Sequence, residues 1–446
     1  MKRVLVNQTP NYIGKKIKVA GWINSIRSHG KINFIDLRDR TGILQIFFEK
    51  NLKKEFGEED VVEIVGTVQL RPKQNINPNL ETGKIELKGE KISLISKARV
   101  LPFDLKNLNL SLPKLLDFRP LSLKNEKIKA IFRVEEVLID AFRESLKKRG
   151  FFEFQAPIIV FSSTEGGAQL FEINYYGKKA FLAQSPQLYK QILVSSFERV
   201  FTVCKAFRAE PSVTTRHLSE YISLDCEMGF IEDWKELLVL CEEVVKEMIS
   251  RVAKECKKEL SLFNVSLPNP KKSFPSLRLK EAQEIIFQRT GKDKRKSPDL
   301  DPEDEKEICN FAKEKWGSEF IFITHFPTEK RPFYTFEDPE DPNFTLSFDL
   351  LFRGLEIVTG GQRIHDYQML VSKMKKFGLN PKSFEFYLQA FKYGMPPEGG
   401  FAIGAERFVK QILNLENIRE ASLFPRDLER IDLRFSTLKS KKCQKH

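Results

Sequence analysis

The chain has 446 residues, with 74 Lys and Arg against 61 Asp and Glu, and a formal net charge of +13. Hydrophobic residues make up 41 % and charged residues 30 %, which excludes a fibrous or disordered chain. No segment approaches the roughly 20 apolar residues of a membrane-spanning helix, and the amino terminus turns polar too early for a secretory signal. The six cysteines show no zinc-ligand spacing, which favours free thiols in a reducing cytoplasm.

Residues 1–102 predict a small β-domain, because short segments alternate apolar and polar side chains as half-buried strands do. Five such strands in about 100 residues are typical of a Greek-key barrel of the OB type, whose sheet face commonly binds single-stranded nucleic acid. The segments are Lys18–Ile23, Ile32–Leu37, Ile43–Phe48, Val61–Val68 and Lys84–Leu87.

Residues 103–125 contain two prolines and predict a hinge. The following domain, 126–438, opens with an amphipathic helix that Gly150 is placed to cap. In its remainder, predicted strands and helices do not alternate regularly as they do in βαβ units. This predicts an α+β fold with an antiparallel sheet flanked by helices. We expect an inserted helical segment at about 235–315, in which the charged stretch 291–307 forms an exposed loop, and a basic tail at 439–446. The helix rests on the spacing of Ile131, Val134, Leu138, Phe142 and Leu146.

Two stretches carry candidate chemistry. The first, 207–221, brings arginine, glutamate and histidine together around a predicted strand–loop–strand, and an arginine fork can grip phosphate or carboxylate. The second, 399–413, is a glycine-rich strand running into a helix, without the G-K-[ST] of a P-loop. Taken alone, the first could be a salt-bridged surface hairpin, and the second could be a common glycine-rich connection from a strand to a helix without a binding role.

In this order, the two stretches resemble the second and third motifs of the class II aminoacyl-tRNA synthetases, and 148–157 is similar to the first motif with its proline. Within the class, the chain resembles the archaeal-type aspartyl-tRNA synthetases from the barrel to Asp427. One departure is Ala402, where the third motif usually has glycine. The segments that carry this closer resemblance are Thr164–Gly167, Gln184–Gln191 and Gly360–Asp366.

The resemblance implies an ATP-dependent ligase that forms aspartyl-adenylate and transfers aspartate to the 3′ end of tRNA(Asp). It implies Arg208 and Arg407 as catalytic residues, and Asp349 and Glu356 as Mg²⁺ ligands, which are hard oxygen donors that suit this ion. The residues implied in ATP binding are Arg208, Glu210, Arg216, His217, Tyr221, Glu356, Gly404 and Arg407.

The resemblance also implies a homodimer, an aspartate pocket and an anticodon site. Lys190 and Arg363 would hold the side-chain carboxylate of aspartate, which two cations prefer to a neutral amide. The implied aspartate-binding residues are Glu165, Gln187, Lys190, Arg208 and Arg363, and the implied anticodon-binding residues are Phe34, Gln45 and Glu86.

Three alternatives accompany this interpretation. An asparaginyl-tRNA synthetase shares the motifs, although Lys190 speaks against it. A non-catalytic tRNA-binding paralogue would have no physical need for the carboxylates and arginines retained here. Phe34 could be an ordinary surface or core aromatic. The sequence leaves open whether tRNA(Asn) is a second substrate.

Overall fold

The structure is a computed structural model that describes residues 1–30, 32–49, 55–161, 170–211, 214–269 and 271–436. The chain divides into two compact units, Met1–Asp104 and Leu105–His446. The implied aspartate-binding residue Glu165 and the basic tail 439–446 lie outside the described residues. The hinge at 103–125 and the other domain boundaries stay predictions.

The first unit is a closed five-stranded barrel in the order β1-β2-β3-β5-β4. Buried residues alternate with more exposed ones along much of the first four strands, and valine, isoleucine and leucine side chains fill most of the interior. The predicted OB-type barrel is confirmed. Its strands are β1 (Lys16–His29), β2 (Ile32–Asp39), β3 (Gly42–Phe48), β4 (Val61–Leu70) and β5 (Ile85–Ser96).

The second unit combines helices with two sheets. Its helices are α1 (Leu112–Asp117), α2 (Arg119–Ser122), α3 (Glu126–Lys147), α4 (Gln187–Phe197), α5 (Lys235–Glu255), α6 (Lys257–Phe263), α7 (Leu279–Thr290), α8 (Pro302–Trp316), α9 (Tyr367–Lys376), α10 (Glu385–Lys392) and α11 (Ala405–Leu413). Its strands are β6 (Phe152–Glu153), β7 (Ile159–Val160), β8 (Glu172–Tyr175), β9 (Lys178–Leu182), β10 (Arg199–Phe207), β11 (Glu220–Gly229), β12 (Ser276–Arg278), β13 (Phe320–Thr324), β14 (Ser347–Phe352), β15 (Leu355–Gln362) and β16 (Glu398–Gly404). Short 3₁₀ helices span Val6–Tyr12, Lys73–Asn75, Thr328–Lys330, Pro381–Phe384 and Ile418–Ala421.

The larger sheet has eight strands in the order β12-β13-β14-β15-β16-β11-β10-β6, and the smaller has the order β7-β9-β8. The six central strands of the larger sheet pair antiparallel, which confirms the α+β prediction. The edge strands β6 and β12 pair parallel with their neighbours, which the sequence analysis did not predict. The sheet's buried side chains share a core with α3, α5 and α11.

Helix α3 forms where the apolar spacing predicted it. The side chain of Asn125 accepts hydrogen bonds from the backbone N–H groups of Lys127 and Ile128, which satisfies two donors of the first turn. Val134, Leu138 and Phe142 are fully buried against the sheet core. Gly150 lies just beyond the helix with φ of 80°, a conformation that favours glycine.

The expectation of an exposed loop over 291–307 is wrong in its second half, because α8 begins at Pro302. Asp301 caps the helix by accepting from the backbone N–H groups of Glu303 and Asp304, and proline suits the first helical position. The many charged residues of this stretch favoured a loop prediction, although Asp301 followed by Pro302 is a helix-start signal. As a result Glu305, expected at the surface, is buried.

Within the described ranges, no helix combines the length and apolar character needed to cross a bilayer. The five cysteines there are free thiols: Cys204, Cys226, Cys241, Cys256 and Cys309.

Candidate active site

The two chemically informative stretches meet at the centre of the sheet. Strands β10 and β11 form the predicted hairpin arms, and β11 also pairs with β16. Asp225 lies opposite Ala402 in a regular antiparallel register. Ala402 therefore takes part in the regular strand pairing of β16.

A cavity lies where these strands meet the amino end of α11. All eight predicted ATP-binding residues line it, although they come from three separate parts of the chain. The Arg208 guanidinium lies 5.5 Å from the centroid of the Tyr221 ring. The eight are Arg208, Glu210, Arg216, His217, Tyr221, Glu356, Gly404 and Arg407.

One wall of this cavity carries an ion pair. Arg407 Nη1 lies 3.3 Å from Glu356 Oε2 and donates to the Glu356 carbonyl oxygen at 3.2 Å. Burial acts to raise the pKa of Glu356, but the guanidinium groups of Arg407, Arg331 and Arg208 outweigh it and lower that pKa. Glu356 is therefore a carboxylate surrounded by cations.

His217 lies on the same wall and is uncharged at neutral pH. Burial lowers its pKa, and the neighbouring positive charge of Arg407 acts in the same direction. Its Nδ1 is 2.7 Å from Thr214 Oγ1. The neutral ring can donate or accept one hydrogen bond without adding charge.

Asp349 is buried next to the cavity and does not line it. Its Oδ2 accepts from Arg331 at 2.8 Å, whereas Oδ1 accepts no hydrogen bond within the described part of the chain. Burial raises the pKa of Asp349 to about 6; Arg331 opposes this and the negative charge of Glu356 adds to it. A cation near Asp349 and Glu356 would relieve the repulsion between their two negative charges. Their carboxylate oxygens therefore fit a divalent cation.

A second cavity, of about 470 Å³, adjoins the first. Four of the five predicted aspartate-binding residues line it: Gln187, Lys190, Arg208 and Arg363. The two cavities form one cleft, because they share lining residues. The shared residues are Arg208, Tyr221, Ser223, Glu356, Thr359 and Ala402.

Two cations of the second cavity, Lys190 and Arg363, are held by buried carboxylates. Lys190 Nζ lies 2.9 Å from Asp225 Oδ1 and 3.0 Å from Glu227 Oε2, and Arg363 Nε lies 2.8 Å from Glu227 Oε1. Burial acts to lower the pKa of Lys190, but the two carboxylates outweigh it and raise that pKa to about 12. Burial acts to raise the pKa of Glu227, which Arg363 and Lys190 nevertheless lower. Lys190, Glu227 and Arg363 are therefore all ionised.

The floor of the cleft needs glycine for a close approach of neighbouring strands. A Cβ atom on Gly400 would lie 2.1 Å from the carbonyl oxygen of Cys226, and one on Gly360 would lie 2.6 Å from the Phe348 ring. The glycine-rich segments are therefore required by packing between β11, β14, β15 and β16.

Several residues of the cleft were not predicted from the sequence. Asp225 and Glu227 alternate along β11, so two acids at alternate positions in an otherwise apolar predicted strand were an available signal. Arg331 lies after a short 3₁₀ helix, and no local pattern distinguishes it. Arg331 nevertheless lines the second cavity and binds both Thr359 and Asp349.

The predicted anticodon residues lie on the barrel. Phe34 and Gln45 are partly exposed on the adjacent strands β2 and β3. Gln45 donates to Glu86 at 3.1 Å, and Gln69 donates to the other oxygen of Glu86. The structure thus joins Gln45 and Glu86 directly.

Comparison with known proteins gives the same assignment for both units. Residues 17–95 match the OB-fold nucleic acid binding domain, and 112–428 match the tRNA synthetases class II (D, K and N). The chain is 42 % identical to the aspartate–tRNA(Asp) ligase of Pyrococcus abyssi, over 94 % of this chain and 96 % of that protein. It is 40 % identical to the aspartate–tRNA(Asp/Asn) ligase of Deinococcus radiodurans, over 97 % and 99 %.

A solved asparaginyl-tRNA synthetase, from Pyrococcus horikoshii in complex with asparaginyl-adenylate, shares the fold. It superposes with a TM-score of 0.87 at 33 % identity, covering 97 % of this chain and 99 % of that one. The cleft, the barrel and these similarities agree. The chain belongs to the class II tRNA synthetases of the D, K and N group.

Proposed function

We propose that this protein is an aspartate–tRNA ligase, which activates L-aspartate with ATP and transfers it to tRNA(Asp). The observation that carries the proposal is the second cavity, which is lined by Lys190, Arg363 and Arg208, the last of which also lines the cavity predicted to bind ATP. Two cations suit a substrate that presents a second carboxylate.

The first step is adenylate formation. The α-carboxylate oxygen of aspartate attacks the α-phosphorus of ATP; the new O–P bond forms as the bond to the β-phosphate oxygen breaks, and pyrophosphate leaves. This chemistry needs positioning and charge neutralisation. Arg208 lines both cavities and would hold the carboxylate and the α-phosphate together while charge develops.

The remaining residues of the first cavity would bind the rest of ATP. Glu210 would accept from the adenine amino group and Tyr221 would stack on the ring. Arg216 and His217 would hold the β- and γ-phosphates, and Arg407 would cover the γ-phosphate and the other face of adenine, beside the amino end of α11 at Gly404.

Mg²⁺ would be held by Asp349 and Glu356. The supporting observation is the buried Oδ1 of Asp349, which lacks a hydrogen bond from any described residue. When bound, the ion neutralises phosphate charge and orients the triphosphate.

The second cavity would bind aspartate as a whole. Lys190 and Arg363 would hold its side-chain carboxylate, and Gln187 would orient it. The ammonium group would be taken by Asp225, which lines the cavity, together with Glu165 on the segment outside the described residues.

In the second step the 3′-terminal hydroxyl of tRNA attacks the carbonyl of the adenylate, and AMP leaves. The barrel would select the tRNA by its anticodon, with Phe34 stacking on a base and Gln45 and Glu86 forming hydrogen bonds. Stacking on one base contributes about 1–3 kcal/mol.

We also propose that the enzyme is a homodimer. Apolar side chains around the first class II motif are exposed, and the rings of Phe152 and Phe197 stack at 4.4 Å while both are nearly half accessible. A second copy of the chain would cover them. The free thiols support a reducing compartment, and we place the protein in the cytoplasm.

An asparaginyl-tRNA synthetase is the second candidate, because a solved enzyme of that kind has the same fold. Lys190 argues against it, since an amide offers no charge to a buried ammonium group. The relatives include both aspartate–tRNA(Asp) and aspartate–tRNA(Asp/Asn) ligases, so tRNA(Asn) is the further candidate substrate to test. Aminoacylation of purified tRNA(Asp) and tRNA(Asn) with labelled aspartate tests both points: aspartyl-tRNA(Asp) is expected, and its absence would overturn the proposal.

A further inference from the structure

In the segment 235–315, to which the sequence assigned no role, the side chain of Glu305 bonds to a residue that lines the ATP cavity. Arg216, on the loop between β10 and β11, donates through Nη2 to Oε2 of Glu305 on α8. Their side chains are 18 % and 11 % exposed, so the ion pair is largely shielded from water. Arg216 also lines the ATP cavity.

Glu305 is itself held in place. It lies in the first turn of α8, whose residues Ile308, Cys309 and Ala312 are buried in an apolar cluster with β13. The same Oε2 accepts from the backbone N–H of Glu356 at 3.2 Å. The carboxylate is therefore fixed by a packed helix and by strand β15 before it meets Arg216.

An arginine on a loop loses side-chain entropy when it binds a phosphate, and fixing it in advance reduces that cost. The guanidinium carries five N–H donors, so the bond to Glu305 leaves donors for a ligand. Glu305 does not line either cavity, which separates it from the groups that would touch ATP.

We propose that Glu305 is a positioning residue that holds the Arg216 guanidinium on the wall of the cavity for the terminal phosphates of ATP. This inference rests on the proposed function of that cavity. It assigns to α8, and so to the inserted segment, a part in ATP binding.

The test is a steady-state comparison of the full-length protein and its Glu305→Gln variant by ATP–pyrophosphate exchange. Glutamine keeps an acceptor oxygen and removes the charge. Because hydrogen bonds to charged groups are the strong ones, we expect KM for ATP to rise about ten-fold, while KM for aspartate stays within about two-fold. An unchanged KM for ATP, or one that falls because Glu305 competes with phosphate, would overturn the proposal.

A double-mutant cycle separates positioning from general stabilisation. If Glu305 acts through Arg216, Arg216→Gln and the Arg216→Gln/Glu305→Gln double variant should have the same KM for ATP. Additive effects would contradict the proposal. Glu307→Gln is the matched control, since Glu307 lies on the same helix but pairs with Arg289; its KM values should equal those of the wild type.

Two further measurements keep the outcomes distinct. If Glu305→Gln unfolds at the assay temperature, Glu305→Asp keeps the charge but shortens the reach, and the same selective rise in KM for ATP is expected. Calorimetric titration with a non-hydrolysable ATP analogue, in the absence of amino acid, measures the effect of Glu305 on nucleotide affinity independently of aspartate activation. If wild type lacks aspartate-dependent exchange but the calorimetric cycle shows coupling, the proposed substrate fails and the role of Glu305 stands.

Discussion

Lys190 Nζ lies 2.9 Å from Asp225 Oδ1, and both side chains are 1 % exposed. With Glu227 between Lys190 and Arg363, these two cations are already paired with two carboxylates before any ligand enters. Excess positive charge alone therefore does not explain a preference for aspartate. We infer that the substrate ammonium engages Asp225, which leaves Lys190 donors for the side-chain carboxylate.

Arg208→Ala should abolish aspartyl-adenylate formation and leave the fold intact. A donor aimed at developing charge is typically worth about 3 kcal/mol or more of transition-state stabilisation. ATP–pyrophosphate exchange measures the loss, and circular dichroism checks the fold. Arg40→Ala removes an exposed arginine of the barrel and should exchange normally. Near-normal exchange by folded Arg208→Ala would contradict the assigned role.

Phe34→Ala should weaken tRNA binding without affecting the chemistry of activation. The loss of one stacked base predicts about 1–3 kcal/mol, measured as a rise in KM for tRNA(Asp) during aminoacylation. Exchange without tRNA should be unchanged. Ile95→Ala, which removes an exposed apolar side chain elsewhere on the barrel, is the control. Equal charging by wild type and Phe34→Ala would show that Phe34 does not stack on the anticodon.

Sedimentation equilibrium at micromolar concentration should give twice the 51.8 kDa chain mass. Phe197→Asp should shift the protein towards monomer, because a charge would replace an apolar ring in the proposed interface. Tyr176→Asp, at another exposed aromatic, should remain dimeric. A fully active monomeric wild type would rule out the proposed interface.

Glu406 predicts a specific dependence of stability on pH. Burial raises its pKa to about 8, nearby Glu135 acts in the same direction, and Lys205 opposes them. The folded state then keeps a proton that the unfolded state releases above about pH 4.5, so this group lowers the free energy of unfolding as pH rises towards 8.

Glu406→Gln should remove that contribution. The melting temperature of the variant minus that of wild type should therefore increase from pH 6 to pH 8.5, by a few degrees, whatever constant offset the amide introduces. Glu416→Gln, at an exposed position, should show no such change. A difference between Glu406→Gln and wild type that stays constant with pH would mean that Glu406 does not titrate in this range.

The sequence was informative where function requires a fixed local pattern. Alternation predicted the barrel strands, and ordered motifs predicted the residues that β10, β11, β15 and β16 bring to one cleft. Residues that act across the fold had no such pattern. Glu305 and Arg216 are 89 positions apart, and only the packing of α8 on the sheet brings them together. Similarly, the charge balance around Lys190 depends on which face of β11 is turned towards α4.

Selection of the amino acid is the property on which the proposed function most directly depends. Aspartate and asparagine should be compared in ATP–pyrophosphate exchange with wild type and Lys190→Met. A site built for a polar group rejects an analogue that leaves its donors unpaired, so wild type should favour aspartate by at least about 10³-fold in kcat/KM. Lys190→Met should lose aspartate activation without gaining asparagine. Equal activation of both amino acids by wild type would contradict the aspartate assignment and favour the asparaginyl alternative.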